Sequence, residues 1–284
     1  MQRLGAAVTP YGAEVETIGA KVKGQLGSIR NELKNKASTL YNAVDAVVPK
    51  TSDVEMNATK DLLERAMMER PQTMTSWEKD LRAKIDGGMT YEDLKTVKSE
   101  IGAMKRASAR QQVLGSPDTR VLQQLETALA KDQIANVERI GSADAAEQLR
   151  SANLLTAQQK KLGETMQKVF GKHLEKTLTD IMSGAMKGVE RGDSLALENL
   201  MKALEPLPQE MRRETLATSI AHVTRMTGGE HRGAFSPEQF VKWVQTTRAT
   251  SPRAFAEIMR TLGPEAAPLV DDPVSYTHLR AHET

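Results

Sequence analysis

Between residues 15 and 47 the apolar side chains Val15, Ile18, Val22, Leu26, Ile29, Leu33, Ala37, Leu40, Val44 and Val47 follow one another at steps of three or four. A strand repeats its inward face every two residues and cannot carry such a row, whereas a helix of 3.6 residues per turn places it along one side. The first two blocks step 3, 4, 4, an eleven-residue order that keeps the stripe nearly straight. Gly19, Gly24 and Gly27 weaken the first half, at about 1 kcal/mol each relative to Ala. Pro49 disfavours helical backbone at the residue before it and ends the element. So narrow a stripe is suited to covering by one or two other helices.

The rest of the chain agrees with this beginning. Only 4% of the 284 residues are aromatic and 39% are hydrophobic, which leaves few large side chains to fill a thick core. Ala, Leu, Met, Glu, Gln, Lys and Arg dominate, and these are strong helix formers. "TKDLLERAMMER" should be a helix that stops before Pro71, and "TSWEKDLRAKIDGG" one that stops at its glycines. "MTYEDLKTVKSEIGAMKRASAR" opens with Thr90 and Asp93 spaced as a capping box and shows Leu94, Val97, Ile101 and Met104 on one face. The following helix is expected to take Ser116 as its N-cap and Pro117 as its first residue. "SADAAEQLRSANLLTAQQKKLGETMQKVFGKHLEKTL" reads as one long helix or two.

Toward the C-terminus the helices shorten. "DSLALENLMKALEPLP" and "PQEMRRETLATSIAHVTRM" read as a hairpin bent at Pro206 and Pro208. "FSPEQFVKWVQTT" and "SPRAFAEIMRTLG" read as a second, each helix opening with Ser-Pro. No segment alternates with period two, so strands are not expected. The expectation is an all-α protein, an elongated array of helices. Its segments are a long amphipathic helix over 1–50, an extended helical region over 51–192, compact short-helix hairpins over 193–273, and a tail over 274–284.

Composition narrows the functional classes. The 39 Lys and Arg against 37 Asp and Glu leave a net charge of +2, which argues against a protein whose main task is gripping nucleic acid along a basic stripe. The chain contains no cysteine, hence no disulfide, thiolate nucleophile or Cys-ligated zinc. No apolar run approaches the length of a membrane span, and the first residues lack a secretory layout; a soluble, intracellularly made protein is expected. His173, His222 and His231 are scattered without metal-ligand spacing. Carboxylates are interleaved with Lys and Arg, as on solvated helix faces. "TGGEHRGAF" and "SGAMKGVERGDS" lack the strand before and the Gly-Lys-Ser/Thr after that a phosphate loop needs, and read as helix stops and starts. No catalytic, cofactor-binding or metal-binding residue is assigned.

Two sets of residues remain as candidates for contact with a partner. Lys98, Lys105, Arg106 and Arg110 form the most basic stretch and would be the phosphate contacts of a nucleic-acid-associated protein; the competing reading is a charged helix C-terminus favoured by the dipole. Ile29, Leu33, Leu40 and Val44 form the candidate helix-packing seam, expected to expose apolar edges in an isolated chain. Trp77 and Trp243 sit on apolar helix faces and read as core anchors. The fourteen methionines are spread throughout and suit gap filling between helices.

"VSYTHLRAHET", residues 274–284, resembles one translated reading frame of the transposase-adapter DNA used to prepare sequencing libraries. It is expected to be a non-native tail, which removes His278 and His282, an i, i+4 pair, from consideration as ligands. The native chain is then expected to have been cut near Pro273 and to be a fragment.

The body of the chain resembles the large, mostly helical internal virion or DNA-ejection proteins of tailed bacteriophages and prophages. The resemblance rests on "MTYEDLKTVKSEIG", on "FSPEQFVKWVQTT" and on the Ala/Gln-rich helices between them, and extends over Gly27 to Asp272. It implies a non-enzymatic structural or ejected helical protein, located in the virion or the host cytoplasm, that assembles with copies of itself or with portal-region partners and needs no cofactor. Some relatives carry a peptidoglycan-cleaving domain elsewhere in a longer chain, but the catalytic Glu motif of such domains is not recognisable here. Two other classes stand beside this one: a nucleic-acid-associated protein acting in genome packaging or transfer through Lys98 to Arg110, and a helical fragment of a larger enzyme whose catalytic domain is missing.

Overall fold

The stripe at the N-terminus becomes a 33-residue helix, α1 (Val15–Val47), in a computed structural model that describes residues 15–108, 118–191, 193–224 and 236–263. The chain is all-α: among the described residues a single pair of two-residue strands accompanies eleven helices. After α1 come β1 (Asp53–Val54), α2 (Asn57–Glu69), α3 (Ser76–Asp86), β2 (Met89–Thr90), α4 (Tyr91–Ser108), α5 (Thr119–Ile140) and α6 (Ala143–Phe170). Then follow α7 (Leu178–Glu190), α8 (Leu195–Leu204), α9 (Gln209–Val223), α10 (Pro237–Thr250) and α11 (Pro252–Leu262). Contacts in space group the described residues within 34–157 into one unit, here called central for its place in the sequence, and those within 1–33 and 158–284 into a second, called flanking because its parts lie on either side in sequence. The divisions follow packing, so they do not coincide with the segments drawn along the sequence.

In the central unit α5 is the hub, packing against α2 and α4. Leu63, Leu81, Leu94, Val97, Ile101, Leu122, Leu125 and Leu129 form its main core. A second cluster gathers Val44, Val48, Tyr91, Val137, Ala145, Ala146 and Leu149. The helix starts are set by local chemistry. Thr75 and Glu78 make a reciprocal capping box on α3. Before α4, Asp93 accepts hydrogen bonds from the backbone N–H and the hydroxyl of Thr90, and the Asp93 N–H donates to the Thr90 hydroxyl. The expected face Leu94, Val97, Ile101 is buried, with Met104 packed against it. For α5 the cap is Asp118, which accepts from the Arg120 and Val121 backbone N–H groups; Ser116 and Pro117, expected in that role, lie outside the described residues.

The strand pair corrects the expectation of no strands. Asp53 pairs with Thr90 and Val54 with Met89, antiparallel. Two residues per strand are too few to leave a period-two signature, so local patterning could not reveal them.

The flanking unit packs α7 against α8, α9 and α10, and α11 against α8, α9 and α10. Its core takes Val15, Ile18, Val22 and Leu26 from α1, Met166 and Phe170 from α6, Leu178 and Met182 from α7, Leu200 and Leu204 from α8, and Trp243, Phe255 and Ile258 from α10 and α11. Gly19 lets α1 and α7 approach closely: a Cβ there would lie 3.0 Å from Leu178 Cβ. The stretch read as one helix or two is one, α6, ended by Gly171 at φ 86°, a conformation that costs glycine nothing. Lys23 holds the turn that follows, donating to the Leu174 carbonyl at 2.7 Å. Both Ser-Pro starts are realised: Pro237 and Pro252 open α10 and α11, and the Ser236 hydroxyl accepts from the Gln239 N–H. The expected α8–α9 hairpin is corrected in one respect, since the principal packing of both helices is against α7 and α11. Two prolines in four residues separate them, and each finds a broader apolar surface elsewhere. Gly184 and Gly188, read as part of a stop, lie inside α7.

The α1 stripe is realised with one correction. Val15, Ile18, Val22, Leu26, Ala37 and Val44 are buried, but Val47 is half exposed and Val48 takes its place at 1% exposure. Stepping 44 to 48 continues the 3, 4, 4 order a third time.

Candidate functional site

The polar residues of α5 make the most developed constellation in the central unit. Asp132, Asn136 and Arg139 recur at steps of four and three, on one face of the helix. Asp132 is 4% exposed. One of its carboxylate oxygens accepts from the Ala58 N–H at 2.8 Å; the other accepts from the Thr59 N–H at 2.8 Å and the Thr59 hydroxyl at 2.6 Å. These are the second and third residues of α2, whose preceding residue, Met56, supplies no side-chain cap. A helix start has unsatisfied N–H groups and a partial positive charge. Here a carboxylate more than seventy residues away caps it.

One turn on, Asn136 makes the contacts that a strand neighbour would. Its Oδ1 accepts from the Glu55 N–H at 2.8 Å and its Nδ2 donates to the Glu55 carbonyl at 2.6 Å. Arg139 donates to the Asp53 carbonyl at 2.7 Å and to Asn136 Oδ1 at 2.9 Å. Asp132, Asn136 and Arg139 thus clasp the segment 53–59 against α5. The Asp132 carboxylate and the Asn136 amide bond to the protein's own segment 53–59, which makes the clasp a structural device. Sequence patterning missed it because its partners are backbone groups distant along the chain.

An open feature of this unit is a trough between α3 and α4 of about 680 Å³, lined by Trp77, Leu81 and Lys84 on one side and Val97, Glu100 and Met104 on the other. Trp77, expected as a core anchor, is half-buried and forms part of its wall. Trp243 is the buried anchor, 6.0 Å from the Phe240 ring and 6.5 Å from that of Phe255. Met67 and Met68 on α2 are exposed large apolar side chains of the same unit.

The two candidate sets fall as follows. Lys98 is half-buried and donates to Gln133 Oε1 at 2.6 Å. Lys105 donates to Gln123 Oε1 at 2.7 Å and is ion-paired with Glu126. Arg106 is exposed on the last turn of α4, and Arg110 lies outside the described residues. A phosphate would therefore have to compete with acceptors already holding two of these cations.

Of the seam Ile29, Leu33, Leu40 and Val44, expected to show exposed edges, Val44 is buried and the other three are half-buried. Ile29 and Leu33 pack against the core of the flanking unit, Leu40 is half-buried, and Val44 is 1% exposed in the central unit.

Among the described residues no group of three His, Asp or Glu side chains is placed to hold a metal ion, and no helix is long and apolar enough to cross a membrane. His231, His278, His282 and the tail lie outside the described residues. The chain matches no known family model, no curated protein and no solved structure.

Proposed function

We propose that this chain is a non-enzymatic helical component of a bacteriophage or prophage particle, structural or ejected, which acts by packing its helices against other protein. The observation that carries the reading is the α3–α4 trough: an apolar floor of Trp77, Leu81, Val97 and Met104, open at the surface of a unit whose own buried polar side chains are engaged. Grooves of this kind between helices receive the apolar face of another helix. The phrases that resemble internal virion proteins support the particle assignment; one opens α4, which forms a wall of the trough, and the other opens α10.

The test is the genomic setting of the gene together with mass spectrometry of particles released from that genome. Capsid, portal or tail genes beside it, and peptides of this chain in purified particles, are the expected result. Metabolic neighbours and particles free of the chain would overturn the reading.

A further inference from the structure

The charges of α2 and α3 fall into two sets. Between the two helices Lys60 pairs with Asp86 at 3.2 Å and Glu64 with Arg82 at 3.0 Å, while Arg70 pairs with Glu78 further along. This order runs backwards along one helix as it runs forwards along the other, so α2 and α3 are antiparallel. The second set has no ion pair among the described residues: Asp61 and Arg65 on the outer face of α2, and Asp80 and Lys84 along the trough edge of α3. Each helix carries an acid and then, one turn on, a base. Two helices with that order are complementary only when antiparallel.

The apolar residues share this register. Aligning Asp61 with Lys84 and Arg65 with Asp80 brings Met68, 80% exposed, opposite Trp77 at the trough wall, where a thioether can pack against the indole. Of the charges bordering that face, Glu64 is already held by Arg82, and the exposed Glu69 lies one turn on from Arg65. Glu100 on the opposite wall adds a second acid within reach of a basic residue in the trough.

We propose that the occupant of the α3–α4 trough is α2 of a second copy of this chain, laid antiparallel with Met68 against Trp77, Arg65 against Asp80 and Asp61 against Lys84. This rests on the assembly reading above and names its partner. The contact repeats between chains the antiparallel order that α2 and α3 already use within one. It joins two different surfaces, so it is heterologous and propagates from copy to copy unless the rotation closes a ring.

The cysteine-free sequence permits a direct test on the full chain. Arg65→Cys protein is mixed with a size-tagged Asp80→Cys protein under mild oxidation, with circular dichroism confirming native helix content in both. The expected result is a mixed covalent dimer formed about tenfold faster than either self-linked dimer, the signature of a raised local concentration. Met68→Glu added to the Arg65→Cys chain should abolish the excess, and added salt should slow it. Predominant self-linking at either position overturns the proposed contact. If sedimentation then shows association that Met68→Glu leaves intact, assembly is upheld and only this surface is wrong. A chain that stays monomeric at every concentration also overturns the proposal, and leaves the particle assignment to its own test.

Discussion

The central and flanking units bury comparable kinds of polar side chain and use them in opposite ways. In the central unit Thr59, Glu78, Asp132, Gln133 and Asn136 are buried, and each has a hydrogen-bond partner, mostly on a different element. In the flanking unit Thr215, Thr224 and Thr261 donate to the carbonyl four residues back on their own helix. Arg212 Nε, Thr218 Oγ1, Ser219 Oγ, Trp243 Nε1 and Thr247 Oγ1 are buried without a partner among the described residues. A bond between distant segments fixes their register and is lost if they slip; a bond to the same helix survives any rearrangement of the helix as a body. An unmade buried bond costs about 1–3 kcal/mol. The central unit is therefore built to hold one arrangement, and the flanking unit places helices whose polar contents oppose their burial.

That difference can be broken most forcefully at Asp132. Asp132→Ala strands the Ala58 and Thr59 N–H groups and the Thr59 hydroxyl, and should cost the central unit about 3–5 kcal/mol, with Asp132→Asn between it and the native chain. The two tryptophans fall one in each unit, so Trp77→Phe leaves Trp243 reporting on the flanking unit and Trp243→Phe leaves Trp77 reporting on the central one. Denaturant unfolding followed by each reporter should show the loss at Trp77. A loss confined to Trp243 would contradict the account of the clasp.

The next effect has opposite signs in the two units. Thr59→Val removes a hydroxyl bonded to Asp132 and should destabilise by about 1–2 kcal/mol, whereas Thr218→Val and Thr247→Val remove hydroxyls with no partner and should stabilise by about 1 kcal/mol each. Destabilisation by both flanking substitutions would show that their hydroxyls are satisfied in solution.

Smaller still, Gly24→Ala and Gly27→Ala add a Cβ with nothing within 4 Å and should each stabilise by about 0.5–1 kcal/mol. Gly19→Ala should fail to do so, because its Cβ would press on Leu178. Thermal unfolding of the three variants separates the helix-propensity effect from the packing effect.

Acid should distinguish the units least. The Thr90 hydroxyl, and then its backbone N–H, hold Asp93 below the usual carboxylate range in the central unit; Thr177 does the same, in the same order, for Asp180 in the flanking unit. A carboxylate with a depressed folded value contributes stability above its unfolded value, near 4, and loses it as pH falls through the folded value. Both units should keep these contributions at neutral pH and lose them together below about pH 4. A loss beginning near pH 6 would point to other groups.

Much of this architecture could be read from local spacing. The α1 stripe, the Thr90–Asp93 start of α4, the Ser-Pro openings of α10 and α11 and the all-α class each depend on residues within a turn or two of one another, where side-chain geometry and backbone preference act directly. Val48 in place of Val47, and Asp118 as the cap of α5, are errors of one or two residues at helix ends, where competing local choices differ by little free energy. The trough was only half legible: Leu94, Val97, Ile101 and Met104 were visible as a face, but that α3 stands apart from α4 and leaves Val97 and Met104 lining an opening was not.

By itself, then, the sequence determined that this protein is a set of amphipathic helices and where many of them begin and end, because those outcomes follow from periodicity and capping over a few residues. It left α7 unread and carried α6 past its end at Phe170. Tertiary structure alone decided which helix covers which: that α5 packs against α2 and α4, that Asp132 caps a helix more than seventy residues away, and that the α3–α4 trough is left open. Such choices are settled by burial and hydrogen bonding between segments that no local pattern connects.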